Sequence, residues 1–132
     1  MERVKATCAV IYNAEGKLLF IKRGREPFRG YWALISGIGE TLRGVPLDRA
    51  IQGEVQCDLQ TALLNPKKLF FLPVENDTKI DGTVVFSGTV DESQIKMHPP
   101  FSLAYRWVSK EEVASLGKLA FEHNHIIKQY LG

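Results

Sequence analysis

The chain has 132 residues, 45% of them hydrophobic, which is enough for one hydrophobic core and predicts a single domain over residues 1–132. Its formal net charge is only +2 and its Lys and Arg residues form no long basic run, which argues against nucleic acid or a membrane surface as a partner. No apolar stretch approaches the ~18 residues of a membrane span, and Cys8 and Cys57 lack the spacing of a zinc or disulfide motif, so we expect a cytoplasmic protein.

The first third of the chain is strand-like and then rich in glycine. Residues 6–12 carry small and β-branched side chains, residues 13–16 have the composition of a turn, and residues 17–22 are again apolar, which predicts a β-hairpin. Residues 24–44 contain many glycines around a short apolar segment. Glycines at this density allow tight turns and close approach of the backbone to a ligand.

A helix from Leu47 to about Leu63 is the clearest element of the sequence. Pro46 suits the first turn of a helix, and no helix-breaking residue follows before Asn65 and Pro66. Strands are then expected at residues 68–74, 83–90 and 105–108, with a turn at 81–82, and helices at 109–116 and 119–131. The order β-β-loop-α-β-β-β-α-α predicts an α/β (α+β) fold, a mixed β-sheet with helices packed on it.

Two acidic residues are oddly placed on the long helix. Glu54 and Asp58 are one turn apart and fall on or beside its apolar stripe, where a carboxylate is costly to desolvate without a partner. A divalent cation such as Mg²⁺ or Mn²⁺ would be a natural partner for two adjacent carboxylates. The alternative is that both acids lie at the rim of the stripe and form salt bridges to Lys22 or Arg23.

The segment from Val10 to Leu59 resembles the core of a Nudix hydrolase. The signature of that family runs Gly, five residues, Glu, seven residues, Arg-Glu, an apolar residue, one residue, Glu-Glu, one residue, Gly and an apolar residue. With Glu54 as the Glu of Arg-Glu, Gly39 stands at the first glycine and Asp58 at the second of the paired acids. The flanking residues 22–34 and the sequence Leu119-Ala120-Phe121-Glu122-His123 are also similar to members that act on ADP-ribose and related nucleotides.

The resemblance has gaps at positions that carry chemistry in the family. Its first Glu is replaced by Val45, its Arg by Gly53, the first of the paired acids by Cys57, and the last Gly by Gln60. The first Glu and the Arg support each other in the family, so their joint loss leaves no orphan charge. The residues 97–101 that correspond to a later loop contain no acid to serve as base.

The resemblance implies a Nudix-type mixed β-sheet sandwiched between helices, and a Mg²⁺-dependent hydrolase that splits the diphosphate of a nucleoside diphosphate linked to another group. It also allows a homodimer. The implied site comprises Glu54 and Asp58 for catalysis, Glu54, Asp58 and Glu40 for the metal, and Arg23, Arg25, Phe28, Gly37 and Gly39 for the substrate.

Several of these residues also have plainer interpretations. Arg25 and Arg29 have the pattern of solvated loop residues, and Trp32 between apolar neighbours is more typical of a core. His98 is the one ionisable candidate to replace the missing base, although an ordinary loop histidine fits as well. Cys57 is a soft metal ligand or, more simply, a small apolar filler.

Two classes of function therefore stay open. The retained acids Glu54 and Asp58 favour a hydrolase with slow or narrowed activity. The replaced positions Val45, Gly53 and Cys57 favour a catalytically inactive module that binds or senses a nucleotide. We favour the hydrolase, because a cleft with two inward-facing acids has little purely structural justification.

Overall fold

The computed structural model describes residues 3–132, which form two β-sheets. The strands are β1 Val4–Ile11, β2 Leu18–Lys22, β3 Trp32–Ala33, β4 Ile35–Gly37, β5 Leu64–Pro73, β6 Ile80–Thr89 and β7 Ala104–Val108. One sheet has four strands in the order β4-β1-β6-β5, with β1 and β6 parallel and the other pairs antiparallel. The other has the antiparallel order β3-β2-β7. The mixed α+β fold class predicted from the sequence is confirmed.

Helices cover both sides of these sheets. They are α1 Gly39–Leu42, α2 Leu47–Leu59 and α3 His123–Leu131, with short 3-10 helices at Glu92–Gln94 and Lys110–Leu116. Strand β1 is buried on both faces because alternate side chains enter different cores. Ala9 and Ile11 pack in the core that contains α2, whereas Cys8 and Val10 pack in the core that contains α3. The sheets therefore lie between α2 and α3.

The predicted hairpin of the first two strands is wrong in its pairing. A single bridge joins Tyr12 to Leu18 next to the turn, after which β1 pairs with β4 and β6 while β2 pairs with β3 and β7. The predicted turn at Asp81 and Gly82 is also wrong, since both residues lie inside β6. Strands β1 and β2 are both apolar enough to be central strands, so each pairs with two neighbouring strands instead of one.

Helix α2 ends earlier than predicted, and helix α3 begins later than predicted. Helix α2 ends at Leu59, because Gln60 takes a left-handed conformation (φ 57°) and caps the last turn through its N–H to the Gln56 carbonyl. Leu63 instead exchanges backbone hydrogen bonds with the side-chain amide of Gln52. Helix α3 begins at His123, since Phe121 has a φ of 53°. Among residues 3–132 no helix is long and apolar enough to cross a bilayer.

Candidate functional site

The acidic pair on α2 faces inward, away from bulk solvent. Residues 54 and 58 are one turn apart on the helix, Glu54 is half-buried, and Asp58 is only 8% exposed. Neither carboxylate forms an ion pair with any basic side chain of residues 3–132. The alternative in which these acids are neutralised by Lys22 or Arg23 is therefore wrong for the described chain.

Burial and repulsion from a neighbouring carboxylate raise the pKa of both Glu54 and Asp58. Burial, followed by the nearby Glu54 charge, raises the pKa of Asp58 to about 7, against smaller opposing effects of Arg23 and Arg25. The pKa of Glu54 is also raised, mainly by burial and also by the Glu40 carboxylate, although a backbone hydrogen bond from Glu40 acts in the opposite direction. A cation between these groups would relieve both effects.

Two glycines make room for the acids. The Glu54 carboxylate lies directly against Gly37 of β4, so closely that a Cβ atom at Gly37 would overlap it. The Glu40 side chain lies against Gly53 of α2, where a Cβ atom would be 2.9 Å from its carboxyl carbon. Glu40 is also 3.4 Å from Arg43 in an exposed ion pair. The absence of a side chain at Gly53 thus leaves room for the Glu40 side chain against α2.

A cleft of about 1030 Å³ opens in front of the acids. Its lining includes every residue predicted for the site: Arg23, Arg25, Phe28, Gly37, Gly39, Glu40, Glu54 and Asp58. Gly39 lies at the start of α1 with open space around its Cα, so no close contact requires a glycine there. The side chains Ser36, His123 and Ile126 line the same cleft and were not predicted.

The basic and aromatic residues stand at the mouth of the cleft. Arg23 donates from Nε to the Pro27 carbonyl at 2.8 Å, and its guanidinium lies 4.9 Å from the Phe121 ring centroid. Arg25 lies 4.2 Å over the Phe101 ring. Phe28, whose φ of 65° is rare for a bulky residue, packs 4.8 Å from Phe121. Aromatic faces hold both guanidinium groups next to the cleft without neutralising them.

The loop of residues 96–102 fastens the end of α2. The last carbonyls of a helix have no partner within it. Here the Lys96 N–H donates to the Leu59 carbonyl at 2.9 Å, the Ser102 hydroxyl to the Asp58 carbonyl at 2.6 Å, and His98 Nδ1 lies 2.6 Å from the Cys57 carbonyl. Because Nδ1 of His98 is bound in this way and His98 does not line the cleft, its role is to cap the helix.

His123 is a buried histidine that was not predicted as a site residue. The Leu34 N–H donates to its Nδ1 at 3.0 Å, and its Nε2 lies 3.0 Å from the Ser36 hydroxyl. Burial, with a smaller effect of Arg23, lowers the pKa of His123 to about 3. The ring is therefore neutral, and it ties the start of α3 to the segment between β3 and β4. A histidine at an apolar helix position next to the family-like Leu-Ala-Phe-Glu motif was the available signal.

Three of the plainer interpretations have different outcomes. Trp32 packs against the core that contains α3 and lies under the Arg106 guanidinium at 5.8 Å, as expected of a core residue. Cys57 is half-buried and lines the cleft, so it is not simply a filler. Arg29 is exposed and does not line the cleft.

The two acids suit a metal ion that takes its remaining ligands from the substrate and from water. Residues 3–132 contain no cluster of three or more His, Cys, Asp or Glu side chains arranged to hold a metal ion. Mg²⁺ commonly takes only one or two protein carboxylates and completes its shell with water and substrate phosphate oxygens. Glu54 and Asp58, which lack basic partners and face the cleft, fit that kind of site.

Several solved structures share this fold at low sequence identity. The chain is 18% identical to the NUDIX domain of Shewanella oneidensis NrtR, which was solved in complex with ADP-ribose, with a TM-score of 0.77 over 99% of this chain and 88% of that one. It is 21% identical to a MutT NUDIX hydrolase from Burkholderia pseudomallei, with a TM-score of 0.74 over 98% of both chains. For a MutT protein from Methanosarcina mazei the values are 19% and 0.72, over 98% of this chain and 94% of that one.

These likenesses establish the fold. The sequence itself matches no protein-family model and no curated protein. The chain has the Nudix fold, as its motif resemblance implied, and it differs from the signature at Val45, Gly53, Cys57 and Gln60.

Proposed function

We propose that this protein is a Mg²⁺- or Mn²⁺-dependent pyrophosphohydrolase acting on a nucleoside diphosphate linked to another group. The observation that carries the proposal is the pair on one face of α2, the half-buried Glu54 and the buried Asp58, which have no basic partners and open to a cleft large enough for such a substrate. An inward pair of unneutralised carboxylates lowers stability, so it is more typical of a functional site than of a structural one.

The charges around the cleft support a diphosphate substrate. Arg23 and Arg25 lie at the mouth, and each is held over an aromatic ring with its charge intact. Guanidinium groups bind phosphate oxygens by charge-assisted hydrogen bonds. Glu54 and Asp58 repel a diphosphate unless a cation lies between them and it, which gives the metal its place. The NrtR domain with the same fold was solved with ADP-ribose, a ligand of this chemical class.

The reaction that these groups support is a hydrolysis. Glu54 and Asp58 would hold the metal, which when bound lowers the pKa of a coordinated water and polarises the phosphate. The water oxygen forms a bond to one phosphorus, the bridging P–O bond breaks, and two monophosphates leave. Arg23 and Arg25 would orient the diphosphate and offset its negative charge. The localisation in the cytoplasm and the homodimer implied by the resemblance stay predictions.

The test is to titrate Mg²⁺ and Mn²⁺ together with ADP-ribose by calorimetry and to identify the products by chromatography. We expect metal-dependent release of a nucleoside monophosphate that falls by at least about 100-fold in Glu54→Gln, in line with the loss of a metal ligand at a catalytic centre. The matched control is Glu111→Gln, which removes an exposed carboxylate from the 3-10 helix at Lys110–Leu116 and should leave turnover unchanged.

A second candidate function is a nucleotide-binding module without catalysis. The absence of a three-ligand metal cluster among residues 3–132 favours it. The same titration separates the two functions, because tight binding of ADP-ribose without products, and with equal affinity in Glu54→Gln, would select the binding module. If neither binding nor turnover is found, both functions are overturned.

A further inference from the structure

Strand β4 divides the cleft into two chemically different halves. Neighbouring residues of a strand point to opposite faces, so Ser36 and Gly37 look in different directions. Gly37 faces α2 and the Glu54 carboxylate, whereas Ser36 faces His123 at the start of α3. Both residues nevertheless line the cleft, because β4 is the edge strand of its sheet. One half is therefore acidic, and the other contains Ser36.

The hydrogen-bonding state of Ser36 follows from that of His123. A backbone N–H only donates, so Nδ1 of His123, which receives the Leu34 N–H at 3.0 Å, carries no proton. The proton of the neutral ring is then on Nε2, which donates to the Ser36 hydroxyl oxygen at 3.0 Å. The hydroxyl proton of Ser36 has no acceptor among residues 3–132. It is available to a ligand in the cleft.

The side chains that share a sheet face with Ser36 are uncharged. Ala6 and Thr83 are paired across β1 and β6, and the register places them on the same face of the sheet as Ser36. Ile126 of α3 also lines the cleft. Ala6, Thr83 and Ile126 offer a phosphate no positive charge, so burying a phosphate against them would be costly. A planar heterocycle would bury its faces and place an acceptor atom of its edge near Ser36.

We propose that Ser36 is a specificity-determining residue that donates a hydrogen bond to an acceptor atom of the substrate's nucleobase, and that His123 is the positioning residue that orients its hydroxyl. This inference rests on the proposed function for the identity of the ligand. It assigns the diphosphate to the half of the cleft with Glu54 and the base to the half with Ser36.

The first test is the protonation of His123, which needs no ligand. Imidazole ¹⁵N NMR should show a neutral ring with its proton on Nε2 at pH 7 and still at pH 5. On addition of ADP-ribose the Nε2–H signal should move in the wild type and in Ser36→Thr, but not in Ser36→Ala. A proton on Nδ1, or a ligand-induced shift that persists in Ser36→Ala, would overturn the proposal.

The second test is calorimetric binding in the presence of Mg²⁺, with an ADP-ribose analogue whose bridging diphosphate oxygen is replaced by a methylene group so that it is not hydrolysed. For this analogue we expect Ser36→Ala to weaken binding by about three- to tenfold, the range for one neutral hydrogen bond, and Ser36→Thr to restore it. Ser87→Ala is the matched control, because Ser87 is a buried serine of β6 outside the cleft lining. Pyrophosphate and ribose 5-phosphate, which lack a base, should bind Ser36→Ala and the wild type equally.

The outcomes separate this inference from the proposed function. Unchanged ADP-ribose affinity in Ser36→Ala, with turnover still lost in Glu54→Gln, would overturn the role of Ser36 alone. An equal loss of pyrophosphate binding in Ser36→Ala would place Ser36 at the phosphates and overturn its assignment to the base. If the wild type bound no nucleotide, both proposals would fall.

Discussion

The carboxylate of Glu54 lies so close to Gly37 that a Cβ atom at residue 37 would overlap it. Gly37 is the last residue of β4 and faces α2 across this contact. A strand residue here with any side chain would push the acid out of its position. The glycine is therefore required by the placement of Glu54 and not by its own backbone, which has no positive φ.

Gly37→Ala should lower metal-dependent turnover strongly while leaving the protein folded. The added Cβ atom displaces the Glu54 carboxylate, and this displacement should affect turnover as the loss of the carboxylate does. A double-mutant cycle with Glu54→Ala measures the coupling, and we expect Gly37→Ala to have little further effect on turnover in that background. Additive effects of the two substitutions would show that Gly37 acts independently of Glu54.

Asp58→Asn should stabilise the protein at pH 8 while abolishing metal-dependent activity. Asp58 has a folded pKa of about 7, above its ordinary value of 3.8, so the folded state binds the proton more tightly and stability is lost as pH rises through this interval. Removing the carboxyl should raise the free energy of unfolding by a few kcal/mol at most, and the gain should shrink by about 1.4 kcal/mol per pH unit below pH 7.

Urea unfolding of the wild type and Asp58→Asn at several pH values measures this difference. His123 acts in the opposite direction, because its folded pKa of about 3 lies below the ordinary 6.5 and stability is lost as pH falls through that interval. Acid should therefore destabilise Asp58→Asn more steeply than the wild type. Parallel pH profiles of the two proteins would contradict the burial of Asp58 as an unpaired acid.

Ser102→Ala should cost about 1–3 kcal/mol of unfolding free energy. Ser102 is fully buried, donates to the Asp58 carbonyl at 2.6 Å and accepts from the His98 N–H at 2.9 Å, so its loss leaves two buried groups unsatisfied. Ser115→Ala is the control, since Ser115 is an exposed serine that donates to the Glu112 carbonyl. Equal losses in thermal or urea unfolding would argue against the capping role of the 96–102 loop.

His98→Ala should keep the pH dependence of turnover and lower stability by about 1 kcal/mol. Its Nδ1 is bound to the Cys57 carbonyl at 2.6 Å and its ring does not line the cleft, so its loss uncaps α2 without removing a base. The measurement is kcat/KM from pH 6 to 9. Disappearance of one limb of the pH profile would show that His98 acts as an acid or a base in the reaction.

The acids could be found in the sequence because helical periodicity is local. Glu54 and Asp58 fall beside the apolar stripe whichever partners α2 has, and the structure places both in the cleft lining with the predicted Arg23, Arg25 and Phe28. The sequence predicted Gly37 of β4 as a substrate-binding residue and Gly53 of α2 only as a replacement of the signature's Arg, and it predicted no contact of either glycine with an acid. Gly37 accommodates Glu54 and Gly53 accommodates Glu40, and both contacts join segments that the chain order keeps apart.

The sequence by itself determined most strands and helices outside residues 24–44, the amphipathic helix α2 and the inward position of its acids, since each depends on residues within a few turns of one another. Tertiary structure alone decided that β1 and β2 enter different sheets, that His98 caps a helix, and that His123 directs its proton at Ser36. These are contacts across 41 and 87 residues of chain, and their formation depends on the packing of whole elements rather than on local propensity.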